Sequence, residues 1–146
     1  MGKFALLAAL LGGVLTMGFT VKAAEPGETV QVVMNGSVDA KAVSLDQLRA
    51  IFSLKQLVWP DGSTVTVVVL PSQHPTHHQF CRAYLGLLPY QLERTWKAAR
   101  FSMPGDRPVT VATEQEMREV LESTPGAIGY LTAELVADSL LLPLII

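Results

Sequence analysis

All three histidines of the chain, His74, His77 and His78, fall within five residues, with Ser72 and Thr76 standing among them. Residues of these types at this spacing leave three readings open: a metal site built on imidazole nitrogens, an anion site that tightens as histidine protonates, or a solvated cluster on a turn. His77 and His78 are adjacent and point about 100° apart on a helix, so one ion reached by all three rings requires the preceding loop to fold back. A helix start supplies its own anion chemistry through unpaired N–H groups and the helix dipole. Thr76 stands where an ordinary N-cap would be placed, a role compatible with touching a ligand. Ser72, His74, Thr76 and His77 are therefore the candidate ligand-binding residues. Neither a metal nor a cofactor is assigned to them.

The rest of the sequence carries no catalytic constellation. There is no Ser-His-Asp order, nucleophile elbow, phosphate-cradling glycine loop or metalloprotease motif. The acidic pairs Glu114/Glu116 and Glu119/Glu122 read as a solvated helix face before they read as acid–base chemistry. Trp59 and Trp96 lie on patterns that predict core. Cys81 sits beside Phe80 and Tyr84, with no second cysteine to resolve an oxidised thiol, and reads as a small buried core residue. The expectation is a protein that is not an enzyme.

The elements that must position these residues alternate in type. The β-branched run at 29–34 predicts a strand ended by Asn35-Gly36. Ser44 and Gln47 have capping-box spacing, and Leu45, Leu48, Ile51 and Phe52 then repeat on one helix face, ending near Ser53. Trp59-Pro60-Asp61-Gly62 is a turn leading into a valine-rich strand, Thr64 to Leu70. A second helix is predicted from Thr76 to Leu87, and a third starts at Pro89 and carries Leu92, Trp96 and Ala99. Beyond a Pro104-Gly105-Asp106 loop come a short strand at Val109 to Val111 and a fourth helix opened by the Thr113/Glu116 pair, carrying Met117, Val120 and Leu121. A buried strand is predicted at Ala127 to Leu131, and Leu140 to Ile146 is apolar enough for a last strand despite Pro143. The fold class is α/β: one compact domain with a mixed, mainly parallel sheet flanked by about four helices.

Lys3 is followed by an uncharged apolar run to about Val21, and small residues occupy Val21 and Ala23. This is the profile of a secretory signal with cleavage after Ala23, so residues 1–23 are expected to be a signal peptide. The run is also close to the roughly 18 residues at which an uncleaved anchor becomes the competing reading. Either way the domain is exported, and the expected compartment is the periplasm. Residues 24–146 form one domain with nine basic and thirteen acidic residues, once Lys3 and Lys22 are left out. That mild acidity argues against nucleic acid or an anionic membrane as partner. A lone cysteine in an oxidising compartment makes no internal disulfide, so the apolar core or association must hold the fold.

Three segments, in order, resemble the second lobe of phosphate-type periplasmic solute-binding proteins, the type II family in which two lobes close over a ligand. Val33-Met34-Asn35 looks like the strand entering that lobe. Ser44 to Lys55 with Trp59, Asp61 and Gly62 looks like its leucine helix, I-F-x-G-K motif and tryptophan turn. Ser123-Thr124-Pro125-Gly126-Ala127-Ile128-Gly129-Tyr130 is the most specific, because the Pro-Gly-Ala-Ile-Gly-Tyr string is characteristic of that lobe's late turn into a strand. The resemblance runs from about residue 31 to 131 and implies one lobe of a substrate-binding protein of an ABC transporter, with phosphate or another oxyanion as ligand.

The departures fall on the ligand grip. The family's Arg-Ser-Asp-Gly-Ser-Gly-Thr stretch maps onto Leu70-Pro71-Ser72-Gln73-His74-Pro75-Thr76, where only the threonine keeps its place. Leu70 replaces the bidentate arginine, Ser72 replaces the aspartate, and Pro75 removes a backbone N–H. Leu54 stands where the family has glycine. No counterpart of the first lobe is present, so one chain leaves one face of a ligand wet. Two functions are implied: weak oxyanion binding at the Thr76 helix start, or a ligand-free accessory protein of the envelope that binds another envelope protein or itself.

Overall fold

The computed structural model describes residues 29–39, 43–99 and 107–144. The expected signal segment 1–23 and the Pro104-Gly105-Asp106 loop lie outside the described residues. Among the described residues, five strands form one sheet: β1 (Val30–Met34), β2 (Thr66–Val69), β3 (Val109–Thr110), β4 (Ala127–Thr132) and β5 (Leu142–Pro143), in the order β3-β2-β4-β1-β5. β2 pairs in parallel with β3 and with β4, and β1 pairs antiparallel with β4 and β5. The sheet is thus mixed. β2, β4 and β1 occupy its middle, buried on both faces, and their residues are mostly apolar rather than alternating with polar ones.

Local chemistry accounts for the helix boundaries. α1 (Leu45–Phe52) opens with the complete Ser44/Gln47 capping box and buries Leu48, Ile51 and Phe52. α2 (Pro75–Phe80) is shorter than predicted and passes directly into a π-helical turn, Cys81–Leu85. That wider turn ends at Gly86, whose φ of 64° needs a residue without Cβ penalty and whose N–H donates to the Cys81 carbonyl. α3 (Pro89–Ala98) buries Leu92, and its Trp96 indole N–H donates to the Phe52 carbonyl at 2.7 Å. α4 (Glu114–Ser123) is capped by Thr113 and buries Met117 and Leu121. A fifth helix, α5 (Ala133–Ala137), has no counterpart in the sequence reading: it is a single short turn that buries none of its own residues, so no apolar period marks it.

The Pro-Gly-Ala-Ile-Gly-Tyr string has a steric basis. Gly126 has φ of 77°, and a Cβ there would lie 2.3 Å from the Thr64 carbonyl oxygen. Its carbonyl accepts the Trp59 indole N–H at 2.9 Å and the Thr66 N–H at 3.1 Å, tying the tryptophan turn to the start of β4. A Cβ at Gly129 would meet the Leu121 and Met117 side chains of α4 at 3.0–3.1 Å, so glycine lets the helix approach the sheet. On the other side Asn35 donates to the Leu121 and Glu122 carbonyls, closing the end of α4. Leu54 keeps the left-handed backbone that glycine would favour, at φ of 63°, which costs about 1–2 kcal/mol for a residue with a Cβ. Its partly buried side chain packs on the core and offsets part of that cost.

Phe80 of α2 stacks on Tyr130 of β4 with ring centroids 4.1 Å apart, and Phe52 of α1 lies 4.6 Å from Phe80. This aromatic cluster fixes α2 against the sheet. Among the described residues no helix is long and apolar enough to cross a membrane.

Candidate functional site

The start of α2 carries the four residues expected to bind a ligand, and their own hydrogen bonds close it. The N-cap is His74, not Thr76: its Nδ1 accepts the Thr76 N–H at 3.2 Å, and Thr76 is a buried residue of the first turn. A helix start has four N–H groups without helical partners. The His74 N–H donates to the Pro71 carbonyl at 2.9 Å, Pro75 has none, and the Thr76 N–H is held by the His74 ring. Only the His77 N–H remains of the set that would grip an oxyanion. Leu70, at the position of the arginine, is itself buried, so the side chain that replaces the cation belongs to the core.

His77 is not presented to this helix start. Its side chain turns inward, leaving the residue 1% exposed, and its Nδ1 meets the Tyr130 hydroxyl. The Leu70 N–H donates to the same phenol oxygen at 2.9 Å. The His77 Nδ1 and the phenol thus share one hydrogen bond, and Nε2 lies 3.5 Å from the Cys81 sulfur. Burial, reinforced by the neighbouring His78, pushes the His77 pKa down to about 4, and Glu93 opposes this only in part. The ring is neutral across ordinary pH. Burial likewise pushes the Cys81 thiol up to about 12 and raises the Tyr130 phenol. The sulfur is an unreactive core atom. The solvated-cluster reading thus fails for His77 but holds for exposed His78, and among the described residues no three metal-binding side chains converge.

Ser72 lies on the other side of the loop, where its hydroxyl donates to a Glu93 carboxylate oxygen. The pair stands in a cleft of about 660 Å³ between α3 and the β2–β3 edge of the sheet. Leu70, Pro71, Trp96 and Pro108 give it apolar walls, and Lys97 and Arg107 add two cations. Its size is that of a small-molecule site. Of the four sequence candidates only Ser72 lines it. Sequence reasoning missed Glu93, Lys97 and Arg107. The Glu93/Lys97 spacing of four residues marks one helix face, but nothing local joins that face to a loop 21 residues earlier.

No protein-family model and no curated protein matches the sequence. Among solved structures, an ABC-type phosphate transport receptor from Vibrio cholerae is similar with TM-score 0.60 at 16% identity, over 79% of this chain and 44% of the receptor. PstS from Borrelia burgdorferi gives TM-score 0.60 at 13% identity, over 79% and 46%. A possible phosphate binding protein from Planctomyces limnophilus gives 0.54 at 15%, over 79% and 40%. The chain spans less than half the length of each. The likeness at this identity is one of architecture, and the fold of this chain is that of a lobe-sized part of the phosphate-binding proteins.

Proposed function

We propose that this chain is an exported, non-catalytic binding lobe that has given up oxyanion capture at the helix start and takes its ligand in the cleft beside α3. The observation that carries this reading is the closure of the α2 start by Pro75, the His74 ring and the Pro71 carbonyl, next to an open cleft of ligand size. Oxyanion-binding helix starts work through unpaired N–H groups, and here proline or internal partners account for all of them but that of His77. Export through residues 1–23 to the periplasm is part of the reading. The protein recovered from that compartment should begin at Ala24.

Calorimetry with phosphate and sulfate at about pH 6 and about pH 8, on either side of the histidine range, is the direct test. No heat is expected from millimolar oxyanion at either pH. Saturable phosphate binding that perturbs Thr76 to His78 would sink the reading and restore the helix start as the site.

A second reading, an accessory protein of the envelope, draws on the edge strand β5, where Leu142 is 42% exposed, and on Leu140 just before it, which is 85% exposed. Exposed leucines on a sheet edge suit association with another envelope protein or a second copy. Sedimentation of the purified protein distinguishes the homodimer from a monomer awaiting a different partner.

A further inference from the structure

One buried hydrogen-bonded cluster joins α2 and the π-helical turn to the sheet. The Leu70 N–H, just beyond β2, donates to the Tyr130 hydroxyl of β4 at 2.9 Å, and His77 of α2 shares a hydrogen bond with the same hydroxyl through Nδ1. Its Nε2 lies 3.5 Å from the sulfur of Cys81, the first residue of the π-helical turn. His77 is 1% and Cys81 0% exposed. A neutral imidazole has one donor and one acceptor, and either tautomer suits these neighbours. An imidazolium has two donors. The phenol oxygen then receives both the Leu70 N–H and the Nδ1–H, and the phenol proton can no longer go to nitrogen. The groups that act on the cluster are His74 and His78 on α2, Cys81 on the turn, Glu93 on α3 and, through the Tyr130 phenol, Glu114 on α4. β1, which also packs on α2, carries no ionisable residue. The two carboxylates have other partners, Glu93 the Ser72 hydroxyl and Glu114 the Thr132 N–H. His77 also lies in the first turn of α2, where the helix dipole opposes a cation.

From this arrangement we infer that the cluster is a proton-operated latch: protonation of His77 releases α2 and the π-helical turn from the sheet while the strands stay paired. The inference stands apart from any ligand. β2 and β4 are held to each other and each to a further strand, whereas α2 has six residues, too few to persist without tertiary packing. Its segment is bounded by Pro75, which donates no backbone bond, and by the left-handed Gly86. Opening returns the ring to water, where the ordinary value of 6.5 replaces the closed value of about 4. The opening constant therefore rises as pH falls below about 6.5 and levels off near 4. From about pH 7.5 to about pH 4.5 the rise is on the order of fiftyfold.

Cys81 reports the opening, because its buried thiol meets solvent only when the segment leaves the sheet. The purified protein is labelled with a pyridyl disulfide that reacts at acid pH, and the rate at each pH is divided by that of free cysteine. The normalised rate is expected to rise on the order of fiftyfold from about pH 7.5 to about pH 4.5 in the parent and to stay nearly constant in His77→Gln. His78→Gln, at an exposed position, should keep most of the rise. Release of the segment alone leaves the acid rate nearly independent of urea up to about 1 M, whereas global unfolding raises it about fivefold or more. The inference is overturned by a normalised rate that does not change with pH, by an equal rise in His77→Gln, or by the urea dependence of global unfolding. Should His77→Gln fail to fold, the parent's profile decides. A rise beginning near about pH 6.5 supports the latch, and one confined below about pH 5 assigns the opening to carboxylates and overturns it.

Discussion

The Gly126 turn and the loop from Leu70 to Thr76 adjoin neighbouring strands of one sheet, β4 and β2, yet they relate to the phosphate-binding lobes in opposite ways. The turn carries the Pro-Gly-Ala-Ile-Gly-Tyr string on which the resemblance rests, whereas the loop matches the oxyanion grip that the resemblance implies only at Thr76. At Gly126 the constraint is internal: φ is positive, the Thr64 carbonyl fills the space of a Cβ, and the carbonyl of Gly126 anchors Trp59. Only glycine satisfies all three. At the loop no such internal steric constraint acts, and the constraint that the resemblance implies is a ligand's. On the proposed reading, in which no ligand contact is required there, the same backbone is filled by proline and by the side chain of its own N-cap. Backbone sterics must be met by every folded molecule, bound or not, whereas a ligand contact constrains only a molecule that binds.

The sharpest way to break this comparison is Gly126→Ala. Left-handed strain and overlap with Thr64 together should lower stability by on the order of 3 kcal/mol, read as a fall in the urea midpoint. A variant as stable as the parent would show that the turn is not sterically fixed.

The next effect concerns His77, which joins the two regions through Tyr130. Its folded pKa, about 4, lies below its ordinary value of 6.5, so the unfolded chain binds the proton first as pH falls. The stability from this group is complete above about pH 6.5 and declines as pH falls toward 4, by up to about 3 kcal/mol. Denaturation midpoints across that window should slope accordingly in the parent, and the His77→Gln variant should lose that part of the slope. An unchanged slope would mean that another group carries the acid sensitivity.

The smallest effect belongs to the loop. His74→Ala removes the cap of α2 and should lower stability by about 1 kcal/mol, the usual value of an N-cap side chain. A much larger loss in thermal or urea unfolding would place the loop, like the turn, among the sterically fixed parts.

Much of this architecture is legible from the sequence because its signals are local. The Ser44/Gln47 capping box, the Pro89 start of α3 and the Thr113 cap of α4 are found where spacing places them. The continuous valine of β2 and the apolar β4 predicted buried strands, and both lie inside the sheet. The misses have physical causes. α5 buries none of its own residues and so leaves no period. The π-helical turn adds one residue to a helical repeat, which an apolar pattern of one or two turns does not resolve.

By itself the sequence determined that the domain is α/β and that turns sit at Gly62 and Gly126; the turn at Gly86 falls inside the helix predicted to Leu87 and emerged only with the structure. The sequence also determined that three histidines lie close along the chain. Only the tertiary structure decided where those histidines go: His74 onto the start of α2 as its cap, His78 outward, and His77 into the core against Tyr130, 53 residues away. It likewise decided that Ser72 faces Glu93 across a cleft instead of a helix start. The reason is range. Caps, turns and periods are set by neighbours within a few residues, whereas burial and the lining of a cleft depend on which distant strand arrives alongside.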